Sequence, residues 1–408
     1  MIALWGISFI SLFLSIFWLL LLLTEEDRLL KAKKFKKHPK ISIIVPAHNE
    51  GHIIKQVITS LLNLNYPKDK LEIIAVNDDS TDNTQKELKS IKDSRLKVIY
   101  RHPGFIGKAA AVNAGIPYAA GEFIGVLDGD TPNISEDCLL YMLPHFKNPK
   151  VGAVIGAMKA WKPKNILEKL QWFEYLISTL TRRLLAILGA LYVTPGGSFS
   201  LFRKSLLDKH GYFDESSLTE DLEMAMRLQH LHYDIKLELN SIAHTKVPNT
   251  VKAFHAQRIR WYRGWLQTLF KYRDMMFNKD YNFLGMFQMP ISLIIPFFLV
   301  IVALTISYNL LKQLYAAIVI FSIVGMDAIH SYLSFKESLL FNTSAIILPM
   351  IVVLAIGVYL LNKAQNYLKE SWKYPIATIG YFIVYQLILS SYWIAALFHE
   401  VKRSKKKW

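Results

Sequence analysis

The chain has 408 residues, 52% of them hydrophobic, with a mean hydropathy of +0.24. That apolar content excludes an ordinary soluble globular protein, and the length leaves room for a large soluble domain beside membrane-associated segments. The formal charge of +16 suits nucleic acid or anionic lipid as a partner, and Cys138, the only cysteine, excludes an intramolecular disulfide and a cysteine zinc cluster.

In chain order, residues 2–23 carry no charge and are long enough to cross a bilayer as a helix. Lys31, Lys33, Lys34, Lys36, Lys37 and Lys40 follow this run instead of preceding it. That order predicts an uncleaved anchor with its N-terminus outside, not a cleaved signal peptide. It also favours lipid over nucleic acid, for which no aromatic platform or binding motif is present.

From Ile41 the pattern becomes α/β. ISIIVPA (41–47) is the short continuous apolar run of a strand buried on both faces. A helix over 53–64, the strand LEIIAV (71–76) and a helix over 83–91 come next. The strand RLKVIY (95–100), a helix over 107–119 and the strand EFIGVL (122–127) complete the series. The alternation predicts a Rossmann-like, mostly parallel sheet with ligand loops at the C-terminal ends of its strands.

Residues 165–193 and 250–277 mix aromatic and basic side chains, which fits helices at a membrane surface or helices packed on the domain core. Four apolar blocks at about 284–308, 312–335, 342–361 and 375–398 predict transmembrane helices. If all cross, the basic tail with Lys402, Arg403, Lys405, Lys406 and Lys407 returns to the side of the α/β domain, but Lys363, Lys369 and Lys373 fall opposite it, against the charge rule. The division is an anchor at 1–30, an α/β domain at 38–250, an aromatic-basic helix at 250–280, C-terminal helices at 284–400 and a tail at 401–408. Asp327 and His330 fall inside an expected span, as a helix–helix hydrogen bond or a lipid-phosphate contact.

The chemistry concentrates at the strand ends. Asp128-Gly129-Asp130 presents two carboxylates at the i, i+2 spacing, either as hard oxygen ligands for Mg²⁺ or Mn²⁺ or as a solvated turn. PAHNE (46–50) follows the first strand and NDDSTD (77–82) the second, so a parallel sheet places both loops in the same crevice. Glu50 and Asp78 can accept hydrogen bonds from a nucleobase or ribose; Asp79 and Asp82 also read as helix N-caps, the preferred reading for Asp82. Lys108, heading GKAAAVNAG (107–115), is a candidate phosphate contact or a surface lysine. In LTEDLEMAMRL (218–228), Thr219 can cap a helix with Glu220 and Asp221 in its first turn. The same acids can take a proton from an acceptor hydroxyl, with Asp221 as the candidate base and Glu220 in reserve.

Taken in order, PAHNE, NDDSTD, GKAAAVNAG, DGD, TED and QRIRW (257–261) resemble glycosyltransferase family 2 over roughly residues 40–270, in particular the membrane branch of cellulose, chitin and hyaluronan synthases. The resemblance implies a GT-A nucleotide-diphospho-sugar transferase fold, a nucleotide-sugar donor, a Mn²⁺ or Mg²⁺ cofactor and inversion by single displacement. It implies that Pro46, Glu50 and Asp78 line the nucleotide site, that Asp128 touches nucleotide or sugar, and that Asp130, with Asp128, binds metal. Asp221 would be the base, Gln257 and Arg260 would hold the diphosphate, and Trp261 would line the acceptor site. Asp79 stands where the family usually has glycine, and His48 where it often has an aromatic; both bear on nucleotide choice.

The resulting expectation is a hexosyltransferase in the cell membrane, working at its cytoplasmic face. It would move a hexose from GDP-mannose or UDP-glucose to a lipid-linked acceptor, a glycan on polyprenyl or dolichol phosphate. The alternatives are a processive polysaccharide synthase and a membrane protein that only senses nucleotide sugars.

Overall fold

The computed structural model describes residues 2–29, 38–101, 107–191, 199–324 and 344–402. Lys31, Lys33, Lys34, Lys36, Lys37, Asp327, His330 and the tail from Arg403 lie outside the described residues. Helix α1 (Ile2–Leu29) leads into the α/β domain. The strands are β1 (Ile41–Ala47), β2 (Leu71–Asp78), β3 (Leu96–Arg101), β4 (Phe123–Val126), β5 (Asn133–Ile134), β6 (Val151–Ala160), β7 (Ser200–Arg203) and β8 (Asp234–Thr245). They form one sheet in the order β3-β2-β1-β4-β7-β6-β8-β5. Four pairings, β1–β2, β1–β4, β2–β3 and β6–β8, are parallel and the other three antiparallel, so the sheet is mixed.

Every residue of β1 and of β6 is buried, as their unbroken apolar runs require when both faces are covered. Strand order reverses at β1, which lies between β2 and β4, and an open α/β sheet forms its ligand crevice at such a point. The β1–β4 ladder stops at Ile44 and Val126. Two residues on, Pro46 has no N–H to extend it, so the loops after the two strands separate.

The sheet is flanked by α2 (Ile54–Leu62), α3 (Thr84–Ser90), α4 (Lys108–Gly115), α5 (Cys138–Met142), α6 (Ile166–Ile187), α7 (Lys204–His210) and α8 (Glu220–His230). Cys138 is fully buried at the start of α5. The helix read in 165–193 packs on β6 and β8 on one side and on the apolar helices on the other, with Trp172 against Tyr374 and Phe173 against Tyr381. A capping box between Asn165 and Glu168 starts α6, and Trp172 and Phe173 are buried.

Next come α9 (Val251–Lys271), α10 (Met289–Val324), α11 (Ser344–Tyr367), α12 (Pro375–Gly380) and α13 (Gln386–Val401). Where two spans were expected at 284–308 and 312–335, α10 is a single helix of 36 residues, about 54 Å long at 1.5 Å per residue. No proline or glycine lies between Pro296 and Gly325 to break it. Among the described residues, Leu284–Ile301 is long and apolar enough to cross a membrane, and Ser8–Thr24 and Ser307–Ile323 are shorter apolar helices.

The last apolar block packs on the helices around it. A π-helical turn, Tyr381–Tyr385, joins α12 to α13, and the run lies along α9. Tyr392 packs on Phe254 and His255, the Tyr262 and Trp393 rings stack at 4.0 Å, and Arg263 meets Glu400 at 2.5 Å. The turn between α11 and α12 rests on the α/β domain, because Lys159 of β6 pairs with Glu370 at 3.0 Å and bonds the Leu368 carbonyl. Lys369 and Lys373, on either side of Glu370 in this turn, therefore sit beside the α/β domain.

Candidate active site

Three carboxylates and a lysine converge where β1 and β4 part. Asp128 and Asp130 follow β4, and Gly129 between them lies so close to β1 that a Cβ there would stand 2.7 Å from the Pro46 carbonyl oxygen and 3.4 Å from Glu50 Cγ. Glycine is what lets the two loops touch. Burial, then the neighbouring Asp130, push the Glu50 carboxyl up to about 7. Burial, then Asp128, push Asp130 up to about 6. Thr245 Oγ1 lies 3.3 Å from Asp130 Oδ1, and the Lys246 N–H donates to the Asp130 carbonyl at 3.2 Å. Clustered carboxylates that resist ionisation are the donor set that a divalent cation relieves, so these residues fit Mg²⁺ or Mn²⁺. Among the described residues no three or more His, Cys, Asp and Glu side chains are grouped so as to hold a metal ion by themselves. A Mg²⁺ site usually takes one or two carboxylates and completes its shell with phosphate and water.

Glu50 therefore lies against the DGD carboxylates. Lys108 joins the same cluster. It opens α4, and its Nζ bridges Asp128 at 2.5 Å and Glu220 at 3.2 Å, tying the DGD loop to the TED loop. The loop geometry explains its reach, because Gly107 precedes it at φ 115°.

Glu220 and Asp221 open α8, and their surroundings separate their acidities. Burial opposes ionisation of Glu220, yet Lys108 and Arg260 prevail and hold its carboxyl below the usual value. Burial, then the charge on Glu220, push Asp221 up to about 6. Two adjacent acids driven apart in this way allow one to stay ionised while the other moves a proton near neutral pH. Thr219 makes no capping hydrogen bond; its side chain packs on α9 instead.

A second group sits at the ends of β2 and β3. Asp78 pairs with Arg101, and the two are register partners across β2 and β3. Its other oxygen, Oδ2, is buried and accepts no hydrogen bond among the described residues, leaving an acceptor for a base or ribose donor. Burial raises the Asp78 carboxyl against the opposing pull of Arg101. His48 Nδ1 lies 2.6 Å from the Asp78 carbonyl oxygen. Asp79 takes φ +52°, the left-handed conformation that favours glycine and that aspartate tolerates. Asp82 works structurally, accepting from the Thr84 and Gly51 N–H groups at 2.9 Å each.

Along α9, Arg260 Nη1 donates to the Leu218 carbonyl at 3.0 Å, joining QRIRW to the TED loop. Gln257 Oε1 is buried without a donor among the described residues. Trp261 is half-buried, with the Arg258 guanidinium 4.4 Å from its ring centre. Sequence reasoning missed Arg101 and Glu174. Arg101 was findable as a charge at the end of a parallel strand. Glu174 had no local signal; it holds Arg258 through two hydrogen bonds of 2.9 and 2.6 Å.

Fold and site together define a nucleotide-sugar glycosyltransferase of the GT-A type. A family model described as Glycosyl transferase family 2 matches residues 42–211. A poly-beta-1,6-N-acetyl-D-glucosamine synthase of Staphylococcus epidermidis is 34% identical over 273 residues, which cover 64% of this chain and 65% of that protein's length. One from Staphylococcus aureus (strain COL) is 32% identical over 299 residues, 70% of this chain and 71% of its own. The chain belongs to glycosyltransferase family 2. A solved mannosyltransferase from Pyrobaculum calidifontis, in complex with GDP-Man and Mn²⁺, has the same fold, with a TM-score of 0.61 at 20% identity over 98% of this chain and 100% of that one.

Proposed function

We propose that the chain is a processive synthase that transfers N-acetylglucosamine from UDP-N-acetylglucosamine to a growing β-linked polysaccharide, with inversion at the anomeric carbon. The separated acidities of Glu220 and Asp221 carry the chemistry. The activity named for the staphylococcal relatives supports the donor and the product. Asp221 takes the proton of the acceptor hydroxyl as its oxygen bonds to the anomeric carbon and the bond to the diphosphate breaks. Glu220 stays ionised and holds Lys108. Asp78 and Glu50 line the nucleotide side, Gln257 and Arg260 face the diphosphate, and Trp261 borders the acceptor. Asp128 and Asp130 would hold Mn²⁺ or Mg²⁺, which supplies charge neutralisation on the leaving diphosphate.

Hexose transfer to a polyprenyl-linked glycan is the second reading, favoured by α9 and α13 forming one aromatic layer beside the site. Purified protein supplied with radiolabelled UDP-N-acetylglucosamine separates the two. Label in precipitable polymer is expected; label confined to organic-extractable lipid promotes the second reading.

In the membrane, α1, α10 and α11 cross while α12 and α13 lie at the surface on α9. This keeps the domain, Lys402 and the basic tail on the cytoplasmic side. A C-terminal reporter active only outside the cell would overturn that topology.

A further inference from the structure

Gly264 lies on the face of α9 that meets the loop before α8. A Cβ built on it would stand 2.4 Å from Thr219 Oγ1, 2.6 Å from Thr219 Cγ2 and 3.0 Å from Thr219 Cβ. Contacts under 3.0 Å force something to move, and little here can give way. Thr219 is buried at the N-cap of α8, and its carbonyl already accepts from the Glu223 N–H at 3.0 Å. Its Oγ1 has no hydrogen-bond partner among the described residues, so no bond of its own explains the position of this side chain. One turn earlier on α9, Arg260 bonds the Leu218 carbonyl at 3.0 Å. Helix α9 thus holds the two residues before Glu220, one by a hydrogen bond and one by direct contact. From Glu220 the chain of contacts runs 3.2 Å to Lys108 and 2.5 Å onward to Asp128.

We propose that Gly264 is a positioning residue: its missing side chain sets how deeply the Glu220–Asp221 pair seats in the crevice. The inference rests on Asp221 being the base. Any side chain at 264 displaces Thr219, and the start of α8 moves with it, away from Lys108 and the reacting atoms. A misplacement of about 1 Å is enough to lose on the order of 10²-fold in rate.

The test is a double-mutant cycle in the full chain with Gly264→Ala, Thr219→Ala and the two combined. Each is assayed by nucleoside diphosphate release with whichever of UDP-N-acetylglucosamine, UDP-glucose and GDP-mannose the wild type turns over fastest. Gly264→Ala is expected to lower kcat roughly 10- to 100-fold while donor KM stays within about threefold. In the Thr219→Ala background the same change should lower kcat by less than about threefold, because the two atoms it meets below 3.0 Å, Oγ1 and Cγ2, are gone and only Cβ at 3.0 Å remains. Equal losses in both backgrounds, or no loss in either, overturn the proposal. If Gly264→Ala alone does not accumulate, a double variant that accumulates and turns over supports the same seat, and one that does not accumulate overturns it. Asp221→Asn assayed alongside separates the two readings: full activity in that variant sinks the base assignment, whatever the cycle gives.

Discussion

In the crevice between β1 and β4, Glu50, Asp128 and Asp130 crowd against one another, and Asp78 keeps a buried oxygen without a donor among the described residues. In the layer made by α6, α9 and α13, buried or half-buried charges are answered in kind. Arg258 is gripped twice by Glu174, Tyr385 donates to Glu174 at 2.8 Å, and Arg263 meets Glu400. Both regions bury charge, so burial alone does not mark a site. The crevice is distinguished by like charges facing a common space, which lowers the local stability of the free protein and is relieved by a cationic or donor-rich ligand. In the helical layer each of these charges has an opposite partner, and the layer serves as a platform.

The comparison is sharpest at the base. Asp221→Asn should lower turnover on the order of 10²–10⁴-fold while donor binding, followed by calorimetry, is kept. Loss of donor affinity instead would move Asp221 into the binding group. The metal comes next. Asp130→Ala should lower turnover on the order of 10²-fold or more, and EDTA should abolish activity that Mn²⁺ or Mg²⁺ restores. Undiminished turnover in chelator would remove the cation from the crevice.

On the platform, Arg258→Ala should lower stability by about 3 kcal/mol, because Glu174 loses its cation and keeps only the Tyr385 hydroxyl among buried aromatics. If that variant instead melts like the wild type and loses only donor affinity, Arg258 belongs to the site and the contrast between the regions fails. The smallest expected effect is on pH dependence. With Asp221 held near 6 by burial and Glu220, kcat/KM should be flat above that value. Below it, protonation of the base should lower kcat/KM about tenfold per pH unit. An acid limb that Asp221→Asn leaves in place would assign it to another group.

Much of the crevice is legible in the sequence because its parts are local. ISIIVPA specifies β1 to the residue, and each acidic motif follows its strand directly. What the sequence does not carry is strand order. The position of β1 between β2 and β4 puts Glu50 against Asp130, and no spacing along the chain predicts that. The expected strands also stop at residue 127. β6 reads weakly as a strand, since VGAVIGAMKA holds two glycines, and its partners β7 and β8 come from distant parts of the chain. Hydropathy also leaves the facing of the block at 375–398 undefined, because it counts apolar residues without asking which way they turn. In the structure Ser390, Tyr392, Trp393 and Ala396 turn inward, while Ile376, Ile379 and Phe398 are exposed. The same limit hides the Glu174–Arg258 pair, whose members stand 84 positions apart.

Cys138 gives the molecule a practical property. Its thiol is fully buried and pushed up by desolvation, and it is the chain's sole sulfhydryl. Alkylating reagents attack the thiolate, which this environment suppresses. A cysteine introduced at Ile376 or Lys162 would therefore be the only reactive handle on an otherwise native protein. Water-soluble and membrane-permeant maleimides could then map either side of the bilayer, or carry a fluorophore, without first removing the natural residue.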